Sequence, residues 1–147
     1  MATRTNPDWD LPPRIRVLIV DDHAAVRHAL AVILQAFDDL ELVGEATDGE
    51  EAIRRCIETK PDVVLMDLMM PGTDGIAATR AIRQACPDSQ VIALSSLDGQ
   101  NQVRKVLQAG AIGYLRKDTP VDALAKAIRT AHANLSSPPP VGGPAPE

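Results

Sequence analysis

Five short, mostly apolar runs alternate with five amphipathic segments along this chain, and the alternation limits the fold more than any other feature. Runs of this length are typical of buried parallel strands. The segments between them space apolar residues three and four apart, which indicates helices with one buried face. The pattern predicts strands at residues 15–20, 40–46, 62–66, 90–94 and 111–115, and helices at residues 24–36, 50–58, 75–85, 101–109 and about 120–134.

Strands and helices that alternate in this way form a parallel sheet with helices on both faces, because the crossovers are right-handed. We therefore predict an α/β fold, a flavodoxin-like doubly wound sheet of five parallel strands with five helices. One common strand order for such sheets is 2-1-3-4-5, in which the first and third strands are neighbours. Ligands of these sheets bind outside the carboxyl ends of the strands. The fold thus predicts where a site would lie.

Polar side chains stand at those carboxyl ends. Asp21 and Asp22 follow the first strand, Asp67 the third, Ser95 the fourth and Lys117 the fifth. Clustered carboxylates repel one another and raise a pKa, and a divalent cation that prefers oxygen, such as Mg²⁺, removes that conflict. A carboxylate can also form an aspartyl-phosphate. The set predicts a Mg²⁺-assisted phosphoryl-accepting site with Asp67 as nucleophile and a metal held by Asp21, Asp22, Asp67 and the backbone carbonyl of Met69.

Each of these residues also has a simpler interpretation when taken alone. Asp22 or His23 could cap the helix that follows. Asp67 could be a turn residue, Ser95 a loop residue, and Lys117 a solvated surface cation. Their joint occurrence, each at the end of a different strand, favours the functional interpretation.

Composition and charge narrow the class of partner. The net charge of −5 and the three aromatic residues Trp9, Phe37 and Tyr114 predict no direct nucleic-acid binding by this domain. No apolar stretch approaches the roughly 18 residues of a membrane helix, and the N-terminus lacks a signal-peptide core. Cys56 and Cys86 have no metal-type spacing and are interpreted as reduced thiols. These features predict a cytoplasmic protein without membrane contact.

The two ends of the chain differ from its centre. Residues 1–13 contain three prolines without periodicity and are interpreted as a flexible lead. Residues 135–147 are rich in Pro, Gly and Ser, as linkers are. The division predicted is a lead, one domain at 14–134, and a linker after which an output domain is absent; a plain disordered tail is the alternative.

Four stretches resemble the receiver domain of two-component response regulators, over about residues 14–134. They are Val17 to His23, Asp67 to Gly75, Ala93 to Ser95, and Gly110 to Asp118. Residues 43–46 and 49–52 and Asp118 resemble the NarL/LuxR-type subgroup, whose members usually carry a C-terminal DNA-binding helix-turn-helix. Many receivers have Pro where this chain has Asp118, so no cis peptide is expected there.

The resemblance implies a role for each residue of the site. Asp21 and Asp22 would be the acidic metal pair, Asp67 the phosphoacceptor, Ser95 the switch hydroxyl, Tyr114 the switch aromatic and Lys117 the phosphate-sensing lysine. A sensor histidine kinase would donate the phosphoryl group, and the conformational switch would control a transcription-regulating output. The domain would not itself be an enzyme. Homodimerisation on phosphorylation is compatible with the sequence, which leaves it open. For Tyr114 a half-buried core position is the alternative.

Two apolar residues are expected to set how long the phosphoryl group persists. Met69 lies two residues after Asp67, and Leu97 two after Ser95. Neither side chain can orient an attacking water, so both predict slow self-dephosphorylation. The simpler interpretation is that they cover the rim of the site.

Three rival functions fit the sequence less well. A phosphatase with an Asp nucleophile would require a second Asp where Met69 stands. A flavodoxin-like cofactor binder would need a phosphate-cradling loop where Asp21 and Asp22 stand. A receiver-like scaffold that is never phosphorylated fits poorly with the intact set of Asp67, Ser95 and Lys117.

Overall fold

The computed structural model describes residues 14–70, 74–95 and 100–134, with only the backbone given for residues 100 and 101. The predicted lead, the predicted linker and Leu97 lie outside these ranges. The strands are β1 (Ile15–Val20), β2 (Leu40–Ala46), β3 (Val63–Asp67), β4 (Gln90–Ser95) and β5 (Gly113–Arg116). The helices are α1 (Ala24–Gln35), α2 (Gly49–Thr59), α3 (Gly75–Ala85), α4 (Gln100–Gln108) and α5 (Val121–Ala133).

The five strands form one parallel sheet in the order β2-β1-β3-β4-β5. This confirms the predicted fold and strand order. Val20 pairs with Met66, so β1 and β3 end side by side. The residues that follow Val20 and Met66 therefore emerge side by side at the carboxyl ends of the central strand β3 and its neighbour β1.

Both faces of the sheet are covered, because side chains alternate along each buried strand. One face packs Leu18, Val64 and Met66 against helices α2, α3 and α4. The opposite face packs Val17, Ile19 and Leu65 against helices α1 and α5. Burial on two sides explains why the strands are continuous apolar runs rather than alternating ones. Among the described helices, none has the length and apolarity that a membrane crossing demands.

The end of α4 explains why the fifth strand starts at Gly113 rather than at residue 111. Gly110 has a φ of +117°, its N–H donates to Leu107 O, and the Ala111 N–H donates back to Val106 O at 3.0 Å. This pair of bonds is a Schellman motif, in which the two residues just after a helix donate their N–H groups to its last turn. Gly110, which lacks a Cβ and so tolerates this φ, therefore ends the helix. The predicted strand start is wrong by two residues, since Ala111 closes the helix.

Other sequence-based details differ by small amounts. Pro120 occupies the N-cap of α5 rather than its first helical position. Ala29 on α1 and Val121 on α5 have the spacing of the apolar helix faces but are exposed. The helical period predicts in which direction the apolar face points. How many residues of that face are buried depends on the elements that pack against the helix.

Lys60 is the one described non-glycine residue with a positive φ, and it offers a stability test. It ends α2 with φ 48° and ψ 62°, and its N–H donates to Cys56 O. An L side chain is disfavoured in this conformation. We expect Lys60→Gly to raise the free energy of unfolding by about 0.5–1 kcal/mol, measured by urea denaturation.

A matched control is Ala36→Gly at the C-cap of α1, where φ is −74°. Glycine relieves nothing there and adds only flexibility to the unfolded chain, so this variant should be neutral or less stable. A loss of stability in Lys60→Gly as large as that in Ala36→Gly would contradict the backbone-strain argument.

Candidate functional site

Asp21 and Asp67 lie at the adjacent ends of β1 and β3. Asp21 follows β1 directly and is 1% exposed, and Asp67 is the last residue of β3 and is 0% exposed. Asp22, the next residue, has a side chain that is 25% exposed. Carboxylates are rarely buried to this extent without a partner of opposite charge. We therefore expect a group of opposite charge beside these two side chains.

Lys117 faces both buried carboxylates. Its Nζ lies 2.9 Å from Asp21 Oδ2 and 3.3 Å from Asp67 Oδ1. The Lys117 N–H donates to Ser95 O at 2.8 Å, which holds the segment after β5 against the end of β4. Ser95 itself is 3% exposed. The structure thus brings together residues that the sequence places at the ends of different strands.

Burial and charge shift the titration of these groups in physically distinct ways. Burial raises the pKa of Asp67, and the Asp21 carboxylate raises it further, against the Met69 N–H and Lys117, which lower it. The sequence-based argument attributed such a shift to repulsion among carboxylates, but burial contributes more. Burial alone would lower the pKa of Lys117, yet hydrogen bonding and attraction to Asp21 and Asp67 raise it overall. The site therefore keeps the positive charge of Lys117 beside two buried carboxylates.

The acidic side chains suit a divalent cation. Asp21, Asp22, His23 and Asp67 each place one possible ligand atom within 4.8 Å of the others. The buried Asp67 Oδ2 has no hydrogen-bond partner in the described part of the chain. A buried oxygen of this kind normally has a hydrogen-bond donor or a cation as its partner. Hard oxygen ligands that converge in this way fit Mg²⁺.

The remaining predicted site residues lie around this centre. The Met69 N–H donates to Asp67 Oδ1 at 3.0 Å, while the Met69 side chain is 49% exposed. Tyr114, on β5, is half-buried against the core and lines a cavity of about 360 Å³ between β5 and α5. The expectation for Leu97 falls outside the described residues.

Helix capping does not account for the residues after β1. His23 is the N-cap of α1, but its side chain makes no capping hydrogen bond. By contrast, α2 and α3 are capped by Asp48 and Asp74, whose side chains accept backbone N–H groups. The capping alternative is therefore wrong for His23.

Gly75 belongs to the site although the sequence argument gave it no role. A Cβ at this position would lie 2.4 Å from the Asp67 carbonyl oxygen and 2.8 Å from Leu68 Cα. The first residue of α3 therefore packs directly on the backbone that carries Asp67. An Asp-Gly pair that opens a helix beside a strand end is a weak signal for such an approach.

Comparison with known proteins agrees with this architecture. Residues 17–129 match the family described as the response regulator receiver domain. Transcriptional regulatory protein LiaR of Bacillus subtilis is 47% identical over 117 residues, which are 80% of this chain and 56% of LiaR. Response regulator GacA of Pseudomonas viridiflava is 43% identical over 119 residues, which are 81% of this chain and 56% of GacA. The chain thus spans about half the length of the curated relatives it matches.

A solved structure is similar in shape as well as in sequence. The signal receiver domain of the response regulator NarL from Mycobacterium tuberculosis has a TM-score of 0.80 and 34% identity. The match covers 83% of this chain and 98% of that domain.

Proposed function

Because the chain belongs to the response regulator receiver domain family, of the NarL/LuxR type, we propose that Asp67 accepts a phosphoryl group from a sensor histidine kinase in the presence of Mg²⁺. Receiver domains of response regulators are signalling modules that histidine kinases phosphorylate. The observation that carries the assignment to Asp67 is its buried carboxylate, which has Lys117 on one oxygen and no hydrogen-bond partner on the other within the described residues.

The proposed transfer is a displacement at phosphorus. An Asp67 oxygen forms the new O–P bond while the P–N bond of the phosphohistidine breaks, and the departing imidazole takes a proton. Such a reaction needs alignment and charge neutralisation more than acid–base help. Bound Mg²⁺ would neutralise the charge of the phosphoryl oxygens. This ion would be held by Asp21, Asp22, Asp67 and the Met69 carbonyl.

The side chains around Asp67 have complementary tasks in this proposal. Lys117 places its ammonium beside the oxygens that gain charge, and the ion pair with Asp21 fixes its position. The Ser95 hydroxyl would donate to a phosphoryl oxygen. Its movement toward that oxygen would leave space for Tyr114 to turn inward, which changes the surface of α4, β5 and α5. The phosphoryl charge would thereby bias a two-state element.

The wider biology is part of the same proposal. The receiver would comprise residues 14–134, and residues 135–147 would link it to a transcription-regulating output that binds DNA. Relatives named as transcriptional regulators, about twice as long as the matched segment, support this arrangement. A cytoplasmic location and a homodimer formed on phosphorylation are consistent with it.

Phosphoryl acceptance can be tested directly by mass spectrometry. Incubation with Mg²⁺ and acetyl phosphate should add the mass of one phosphoryl group to the protein, and none to Asp67→Asn. Asp88→Asn, at an exposed aspartate of the α3–β4 turn, is the matched control and should accept the group normally. Phosphoryl incorporation into Asp67→Asn equal to that of the unaltered protein would overturn the assignment.

The lifetime of the phosphorylated state provides a second test. The exposed Met69 side chain is apolar and has no group that could orient a water. We expect Met69→Asn to hydrolyse its phosphoryl group several-fold faster, by orienting the attacking water, whereas Met69→Leu should decay like the unaltered protein. The loss of the mass increase over time, after removal of acetyl phosphate and with Mg²⁺ present, measures both rates. Equal decay of the Asn and Leu variants would remove Met69 from this role.

A further inference from the structure

The His23 side chain is turned toward the acidic cluster instead of capping α1. Its Nδ1 lies 3.2 Å from Asp21 Oδ1 and 3.2 Å from Asp22 Oδ1. Its backbone N–H also donates to Asp21 Oδ1 at 2.8 Å, which fixes the residue beside that oxygen. Histidine is not a favoured N-cap residue, and this one makes no capping bond. Contacts with the two carboxylates, and not helix capping, therefore account for the position of the ring.

The spacing of these atoms matches that of ligands around a small cation. An octahedral ion with bonds of roughly 2.1 Å holds neighbouring ligand atoms about 3.0 Å apart. The two separations of 3.2 Å from Nδ1 are close to that value, and without an ion the contact with Asp21 Oδ1 is a hydrogen bond. Three consecutive residues thus offer two oxygens and one nitrogen with the spacing of one coordination shell.

The contacts of Lys117 leave other carboxylate oxygens of Asp21 and Asp67 available to a cation. The ammonium contacts Asp21 through Oδ2 and Asp67 through Oδ1. Of the remaining oxygens, Asp21 Oδ1 accepts the His23 N–H, and the buried Asp67 Oδ2 has no hydrogen-bond partner among the described residues. An ion held by these two oxygens would leave the contacts of the ammonium intact. The buried Asp67 Oδ2 is the independent indication that the cluster takes a cation.

We propose that His23 Nδ1 is a further ligand of the divalent-cation site, and that it shifts the site's preference from Mg²⁺ toward ions that bind imidazole, such as Ni²⁺. Mg²⁺ selects oxygen ligands, whereas imidazole suits Ni²⁺ and Zn²⁺. The side chain is 62% exposed, so solvent and a dissolved cation can reach the ring. This inference rests on the proposed metal site of the phosphoacceptor.

The affinities for the two ions in matched variants test the proposal. Isothermal titration calorimetry gives the dissociation constants of Mg²⁺ and Ni²⁺ for the unaltered protein, His23→Asn and His28→Asn. Asparagine is a good N-cap and retains an oxygen, but it removes the imidazole. His23→Asn should lower the affinity for Ni²⁺ relative to Mg²⁺ by about 10-fold or more. His28, exposed on α1, controls for surface histidines, and its variant should keep the original ratio.

The visible absorption of bound Ni²⁺ supplies a readout that a structural role would not change. Loss of a nitrogen ligand in His23→Asn should shift these bands to longer wavelength, while His28→Asn should leave them in place. An unchanged affinity ratio and spectrum in His23→Asn, or an equal effect of His28→Asn, would overturn the proposal. Phosphoryl acceptance by the unaltered protein with Mg²⁺ is measured separately. Its failure would refute the proposed function, whereas an unchanged ratio would refute only the role of His23.

Discussion

Lys117→Gln should accept a phosphoryl group from acetyl phosphate about 10²-fold more slowly than the unaltered protein. The ammonium lies 2.9 Å from Asp21 Oδ2 and 3.3 Å from Asp67 Oδ1, so under the proposed function it would neutralise the oxygens of a phosphoryl group arriving at Asp67. Glutamine keeps much of the side-chain length and a hydrogen-bond donor but not the charge. The rate of mass gain at fixed Mg²⁺ and acetyl phosphate concentrations measures the effect.

Arg116→Gln is the matched control for Lys117→Gln. It removes the same charge from the preceding residue, whose guanidinium pairs with Asp118 at the surface rather than with the acidic cluster. Its rate should stay within about 2-fold of the original, since exposed charges are screened by salt. Similar slowing in both variants would show that net charge near the sheet edge matters, and not the position of the Lys117 ammonium.

Gly75→Ala is expected to lower the free energy of unfolding by about 3 kcal/mol. The added methyl would meet backbone atoms, Asp67 O at 2.4 Å and Leu68 Cα at 2.8 Å, which cannot move aside as a flexible side chain would. Either α3 shifts away from β3 or the end of β3 is displaced. Because the displaced segment carries Asp67, phosphoryl acceptance should also slow. Urea denaturation measures the stability, and the acetyl phosphate assay measures the rate.

Gly113→Ala separates this clash from a general effect of replacing glycine. A Cβ at Gly113, in β5, would meet nothing within 4 Å. That variant should be neutral or slightly more stable, since alanine restricts the unfolded chain. If Gly75→Ala proved as stable as Gly113→Ala, the close approach of α3 to Asp67 could not be a determinant of the fold.

Much of the fold could be predicted because strands buried on both faces appear in a sequence as continuous apolar runs. The runs before Asp21 and Asp67 must be almost wholly apolar, and the polar residues that follow mark where each strand leaves the core. The start of β5 could not be read in the same way. Ala111 is apolar like a strand residue, yet its N–H donates to Val106 O and closes α4. Apolar character alone does not distinguish these two uses of a residue.

The sequence by itself determined the sheet, the end of the strands at which a ligand is expected and the chemical types gathered there, because these follow from periodicity and from the residues next to each strand end. Only the tertiary structure decided which atoms meet. Lys117 contacts Asp21 across 96 positions of sequence, and the ring of His23 turns to the carboxylates rather than to the helix it precedes. Such contacts depend on strand register and side-chain rotamers, which are set by packing between segments far apart in the chain.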